Sequence, residues 1–206
     1  VLKPWNITTG NHLYINQGDT IDEEIIARNI GLPCFVKANR SGSSFGVSKV
    51  YKVEEMNAAL ETAFEVDDEI IIESFLDGVE VSVGAYQIGD KIKVLLPTEI
   101  VSENDFFDYE AKYQGKSKEI TPARIKDENT KAVQQTTRRI YQVLKLKGLA
   151  RADFIFHKGI PHFIEINTNP GMSKESIVPQ QITASGLILK KVLTEIIENT
   201  IKYHIT

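Results

Sequence analysis

Residues 162–171 read HFIEINTNPG, an apolar strand-forming run interrupted at alternate positions by an acid and an amide, Glu165 and Asn167. A strand points residues two apart to the same face, so the two polar groups share one side of the segment. Upstream, LARADFIF (149–156) repeats the pattern with Arg151 and Asp153, and HKGIP joins the two as a turn. Centring that turn on Gly159 places Asp153 opposite Glu165, with Asn167 one step along on the same face. Three oxygen-bearing side chains then converge among apolar neighbours, where unpaired carboxylates repel one another and are costly to desolvate. A divalent cation removes both problems, and oxygen-only ligands suit Mg²⁺ or Mn²⁺ better than zinc. The four histidines show no metal-ligand spacing. A surface hairpin with solvated acids satisfies the same spacing, so the pattern alone leaves both open. Arg151 shares the parity of Asp153, where a guanidinium can neutralise a developing phosphate or oxyanion charge; an ordinary Arg–Asp ion pair is the plainer alternative.

A second charge sits where an apolar strand is expected. Lys37 lies inside CFVKA (34–38), and a buried ammonium there needs an anion. NRSGSSFG follows directly, offering backbone N–H groups and hydroxyls of the kind that hold phosphates, although many such loops only connect elements. The Walker pattern GxxxxGK[ST] is absent. Around these landmarks, Thr20 and Glu23 have capping-box spacing ahead of a helix that GLP stops. Strands are expected at 34–38, 47–51 and 69–76, with a helix at 53–66 between the last two. The runs 79–88 and 91–100 read as an antiparallel meander. Residues 101–120, rich in charge and aromatics, read as a long loop. Helices at 127–146 and 187–203 flank the charged hairpin.

The chain has 206 residues, 42% of them hydrophobic, enough for one large core or two small ones. Its net charge of -4 gives no global positive field for nucleic acid. The single Cys34 cannot form an internal disulfide, fits a reducing compartment and reads as a small hydrophobe after Pro33. No apolar run approaches the ~18 residues of a membrane helix. Neither an initiator Met nor a signal peptide is visible. A cytoplasmic protein with no membrane partner is expected, and the opening VLKPWNITTG reads like the middle of a longer chain.

Taken in order, KANRSGSSFG from Lys37, IIIESFLDGVEVSV around Glu73 and Glu80, FFDYEAKY ending at Tyr113, ARADFIF, HFIEINTNPGM and SKES resemble the ATP-grasp superfamily and, within it, the D-alanine:D-alanine ligase family. The resemblance covers nearly the whole chain, as the part that follows the family's first domain. It implies an α+β, ATP-grasp fold: two α+β subdomains whose antiparallel sheets sandwich ATP. Residues 1–74 match the small central subdomain with a truncated start, and residues 75–206 match the large C-terminal one.

By the same resemblance, Lys37 meets the phosphates, Glu73, Ser74, Phe75 and Leu76 form the strand that reads and covers adenine, and Glu80 accepts the ribose hydroxyls. Lys112 and Tyr113 belong to a loop that closes over the site. There the lysine meets phosphate, and the tyrosine joins Ser43 and a first-domain glutamate in a hydrogen-bonded triad. Arg151 matches the catalytic arginine, Asp153, Glu165 and Asn167 the ligands of two Mg²⁺ (or Mn²⁺) ions, and Gly171 and Ser176 the oxyanion and second-substrate contacts. The implied reaction joins two D-alanines through an acyl phosphate at the cost of ATP, for peptidoglycan precursor synthesis, in a homodimer of the full-length protein. Without the first domain, the 206 residues alone are expected to fold at least in part and to lack ligase activity.

Two departures stand out: Phe163 where relatives usually carry Leu or Ile, and Glu175 ahead of Ser176 where His is common. A different ATP-grasp carboxylate–amine ligase or a D-alanine:D-lactate ligase would share the nucleotide half, with Tyr113 favouring the dipeptide. A non-catalytic nucleotide-binding module would keep Lys37 and Glu80 without needing Arg151, Asp153, Glu165 and Asn167 together.

Overall fold

In the computed structural model, which describes residues 2–42, 45–102 and 117–204, CFVKA is the strand β2 (Cys34–Ala38). Its residues alternate between buried and half-buried. Cys34, Val36 and Ala38 face inward, and Phe35 and Lys37 face the opposite way. β2 lies in a four-stranded antiparallel sheet with β1 (His12–Asn16), β3 (Ser48–Val50) and β4 (Glu69–Ser74), in the order β1-β4-β2-β3. The inward face packs Ile15, Val50, Ile70 and Ile72 against Ile26 and Ile30 of α1 (Glu23–Ile30) and Met56, Leu60 and Ala63 of α2 (Met56–Phe64). Each large aliphatic side chain buried there contributes about 1.5–3 kcal/mol. Burial also pushes the Cys34 thiol up to about 11, in keeping with a small hydrophobe. These elements form one of two compact units, Gly10–Leu76.

Three expectations for this unit change. The cap of α1 is Asp22 rather than Thr20: its Oδ1 accepts from the Ile25 N–H at 2.9 Å, the bond an N-cap makes to the third helical residue. α2 is shorter than 53–66 because a 3-10 turn, Val53–Glu55, precedes it. β1 was not foreseen, since only its Ile15 is buried; the strand exists because the edge of β4 pairs with it.

The second unit comprises the chain up to Thr9, Asp77–Val101 and the residues from Lys118 onward. Its six-stranded sheet runs β10 (Ile160–Asn167), β9 (Leu149–His157), β5 (Gly78–Ile88), β7 (Thr98–Ser102), β8 (Ser117–Ile120), with β6 (Lys91–Val94) off this path and paired with β5. On one face, Val81, Val83, Ala152 and Phe154 pack against Val133 and Ile140 of α3 (Asp127–Val143). On the other, Tyr86 and Leu95 pack against Val178 and Ile182 of α4 (Ile177–Ala184) and Val192 of α5 (Leu189–His204).

The expected meander is split. β6 pairs with Ala85–Ile88 of β5 and β7 with Glu80–Ser82, so both occupy the same edge of β5. Pro97, between them, has no N–H with which to continue a ladder. β8 falls inside the stretch expected to be loop, whose residues 103–116 lie outside the described residues. α4 was also unforeseen; its Pro179 is tolerated because it sits in the first turn. α3 ends at Val143, three residues short of the expected limit, and α5 begins two residues later than expected.

In the charged hairpin, Lys158 and Gly159 form a two-residue turn with φ of 51° and 78°, the positive values a type I′ turn requires. This turn sets the register at Ile160↔His157 and Phe163↔Phe154, one residue away from the expected pairing. Continued unbroken, it would put Ile164 opposite Asp153 and turn Glu165 toward α3, because a slip of one residue exchanges the two faces of a strand. A β-bulge between Phe163 and Glu165 takes up one extra residue, and beyond it Glu165 pairs with Asp153 and Asn167 with Arg151. The expected pairing is thus observed, by a different route. Phe163 stays on the α3 side, edge-to-face with Phe154 at 5.8 Å between ring centroids. Its N–H donates to the Thr8 carbonyl at 2.8 Å, so the segment before β1 runs beside the bulge.

Candidate functional site

Across β10, β9, β5 and β7, Glu165, Asp153, Ser82 and Thr98 stand directly opposite one another in a row. Opposed residues share a face. The next row is Asn167, Arg151 and Gly84. Arg151 grips Asp153 with a fork: Nε donates to Oδ1 at 3.0 Å and Nη2 to Oδ2 at 2.8 Å. From the other side the Ser82 hydroxyl donates to Oδ1 at 2.5 Å. Glu165 ends the row exposed. The plain ion pair is therefore present, and it lies within a larger charged group. Burial disfavours the charged form of Arg151, but Asp153, Glu165 and Glu119 outweigh it and hold the guanidinium above the ordinary arginine value.

Asn167 Oδ1 accepts from the Asn169 N–H at 2.9 Å, a local bond that turns the chain out of β10. A carbonyl oxygen has a second lone pair, so this atom can still serve as a ligand. Among the described residues no three His, Cys, Asp or Glu side chains gather as a metal cluster. The oxygen set here is two carboxylates and an amide, which fits a hard cation such as Mg²⁺.

Glu119, on β8, was missed. Burial pushes its carboxyl up, while Arg151 and the Gln180 amide, which donates at 3.2 Å, pull it back. Nothing in SKEI marks an inward-facing acid; only the pairing of β8 brings it near Arg151. Glu80 lies on the face of Ser82, two residues earlier and half-buried. Gly171 and Ser176 are brought together: a Cβ at Gly171 would stand 2.8 Å from Ser176 Oγ, so only glycine fits without a shift. Ser176 occupies the N-cap of α4 without capping it, and its hydroxyl lies 3.0 Å from that of Ser173.

In the smaller unit, the outward face of the sheet carries Phe35, Lys37, Lys49 and Glu73. The anion that Lys37 requires is in the chain itself: Nζ donates to Glu73 Oε2 at 2.7 Å. Lys49 Nζ stands 4.2 Å from the Phe75 ring centroid and 5.1 Å from that of Tyr51. Ser74 and Phe75 donate their backbone N–H groups to Asn11 O at 2.9 Å and Pro33 O at 3.2 Å. Leu76 is the last residue of the Gly10–Leu76 stretch. Ser43, Lys112 and Tyr113 lie outside the described residues.

Solved structures share this architecture. The VanG D-Ala:D-Ser ligase from Enterococcus faecalis superposes with a TM-score of 0.85 at 34% identity, over 96% of this chain and 58% of that one. A D-alanine–D-alanine ligase from Bacillus anthracis, complexed with ATP, does so at 0.82 and 28%, over 98% and 63%. Two α+β units on antiparallel sheets, one with a lysine in an apolar strand and the other with a carboxylate–amide hairpin, define an ATP-grasp protein. Within that class the chain belongs to the D-ala D-ala ligase C-terminus family, which it matches over residues 2–198. Curated relatives agree: a D-alanine–D-alanine ligase of Flavobacterium johnsoniae is 55% identical over 198 residues, and one of Phocaeicola vulgatus 47% over 199. Each alignment spans 96% of this chain but 61% of the relative's own length.

Proposed function

We propose that the chain is the ATP- and metal-binding part of a cytoplasmic D-alanine–D-alanine ligase, acting as a homodimer, that makes the dipeptide for peptidoglycan precursors. The observation that carries this reading is the bulged hairpin, which sets Glu165 beside Asp153 and Asn167 beside Arg151 on one face. A nucleotide-binding module would have no need of that constellation.

The smaller unit serves as the central subdomain. Lys37 has three donors, so it can keep Glu73 and still meet a phosphate. Phe75 and Leu76 offer apolar cover for adenine, and the backbone groups of residues 73–76 that remain after the pairing of β4 with β1 and β2 and the bonds to Asn11 and Pro33 read its edge. The larger unit serves as the C-terminal subdomain. Glu80 takes the ribose, and Asp153, Glu165 and Asn167 hold two Mg²⁺ or Mn²⁺ ions. When bound, these ions offset phosphate charge and polarise the γ-phosphate toward attack. The carboxylate of one D-alanine takes the γ-phosphoryl group to give an acyl phosphate and ADP. The amine of the second then adds to the acyl carbon, and inorganic phosphate leaves. Arg151, held in place by its fork on Asp153, neutralises charge on the transferring oxygens, and Gly171 gives the acyl oxygen close backbone approach beside Ser176.

The test is ADP release by the complete protein with D-alanine, D-serine or D-lactate, with products identified by mass. D-alanyl-D-alanine as the main product is expected; ADP release indifferent to D-alanine would overturn the proposal.

Asn167 allows a sharper check. The larger unit already gathers Glu119, Asp153 and Glu165 about one arginine, so a further carboxylate would repel the substrate's own and compete for the Arg151 fork. Asn167→Asp is expected to leave ATP affinity within about threefold while lowering kcat about tenfold, roughly 1.4 kcal/mol of transition-state stabilisation. Unchanged turnover would mean that the amide is kept for geometry alone.

A further inference from the structure

Asp153 is held from two directions, and one of them has no part in the chemistry above. Ser82, on β5, is buried, stands directly opposite Asp153 and spends its single hydroxyl proton on Oδ1. The strand under Ser82 is itself braced. Because β6 and β7 divide the edge of β5 between them, the stretch around Val83 and Gly84 lacks a continuous strand partner there. Gln181 of α4, fully buried, fills the gap with its carboxamide: Oε1 accepts from the Gly84 N–H at 2.8 Å, and Nε2 donates to the Ser82 carbonyl at 2.8 Å and to Thr98 Oγ1 at 3.1 Å. Both amide protons and the carbonyl are used, as a buried amide requires. The fit is close, since a Cβ at Gly84 would come within 2.7 Å of Gln181 Oε1 and 2.9 Å of Leu95 Cδ1. A side chain thus stands in for a peptide group of the missing strand, and it fixes the backbone at the residue whose hydroxyl reaches Asp153.

We infer that Ser82 is a positioning residue: it locks the rotation of the Asp153 carboxylate so that the lone pairs left by the Arg151 fork are presented to a divalent cation. This rests on the reading of Asp153 as a metal ligand. Arg151 alone, bonded to both oxygens of Asp153 by a long flexible side chain, leaves the carboxylate free to follow the guanidinium; a hydroxyl on a paired strand does not move with it. Hydrogen-bond partners that orient a metal ligand typically contribute 10- to 100-fold in metal affinity.

The experiment is Mn²⁺ binding to the complete protein in the presence of ATP, followed by the EPR signal of unbound Mn²⁺, for wild type, Ser82→Ala, Ser82→Thr and Asp153→Asn, with melting curves for each. Ser82→Ala is expected to weaken Mn²⁺ binding about tenfold at a near wild-type melting temperature, Ser82→Thr to keep it within about threefold, and Asp153→Asn to lose at least as much as Ser82→Ala. If Asp153→Asn weakens binding and Ser82→Ala does not, Ser82 has no positioning role and the metal reading stands. A threonine variant that folds normally and binds no better than alanine also overturns the inference. If Asp153→Asn binds Mn²⁺ like wild type, the metal reading itself fails.

Discussion

If the complete protein has the proposed ligase activity, Arg151→Ala is expected to lower its kcat by about 10²–10³-fold, some 3–4 kcal/mol, with ATP affinity changed no more than about threefold. The guanidinium is mostly buried, forked onto Asp153 and paired across strands with Asn167, with the fields of Glu119 and Glu165 holding it charged. It is thus a fixed positive charge, oriented before any substrate arrives, and such a charge acts on the transition state more than on the bound ground state. Arg151→Lys separates charge from shape. An ammonium keeps the acidic surroundings balanced but cannot reproduce two parallel N–H bonds to one carboxylate. The lysine variant is therefore expected to melt near wild type and still to lose about 10²-fold in kcat. Steady-state ADP release and ATP calorimetry on both variants decide this; full turnover by the lysine variant would assign the effect to charge alone.

The largest expected loss of stability is at Phe154→Ala. Phe154 is wholly buried among Val81, Val83, Ala152 and Ile140, and it meets Phe163 edge-to-face. Removing a ring from such a site costs about 3–5 kcal/mol, from lost transfer energy and the cavity left behind, or a fall in Tm of about 10 °C. A second effect is specific to this hairpin. Phe163 is the last residue of the register set by the turn, and its contact with Phe154 keeps it on the α3 side just before the bulge. Without Phe154 the register that sends Glu165 to the other face loses its anchor, so Mn²⁺ affinity is expected to fall as well, although Phe154 lies on the face opposite Asp153. Urea unfolding and Mn²⁺ titration of Phe154→Ala and Phe154→Leu test both effects. A cost below about 1 kcal/mol for the alanine variant would contradict the packing described here.

Strong local patterns were legible. The alternation in CFVKA follows from burial of one face, and the strand formed where that alternation lies; VEVSVG also formed a strand, although from Val81 onward both of its faces are buried. The 3.6-residue period of α3 and the stop at GLP are of the same kind. What was missed depends on partners. β1 and β8 are short, weakly patterned and present because another strand pairs with them. Asp22 displaced Thr20 as a cap because both residue types suit that role and only the backbone path chooses between them. Glu119 and Gln181 looked like ordinary polar residues until the fold carried one toward Arg151 and the other into a gap in the sheet.

The charged hairpin shows the boundary most clearly. The sequence by itself determined that Glu165 and Asn167 share a face and that Arg151 and Asp153 share another, because a strand has a side-chain period of two whatever it packs against. It also determined that Lys37 needs an anion, because an ammonium in an apolar strand is costly wherever that strand lies. Only the tertiary structure decided which faces meet. The two-residue turn at Lys158-Gly159 sets one register, the bulge after Phe163 sets the other, and the difference of one residue is what turns Glu165 from the packed side of the sheet to the side of Asp153. Likewise, Glu73 became the partner of Lys37 because β2 and β4 are neighbours in the sheet, although 36 positions separate the two residues in the chain. Periodicity is a property of the chain, whereas register is settled between chain segments by packing and turn geometry.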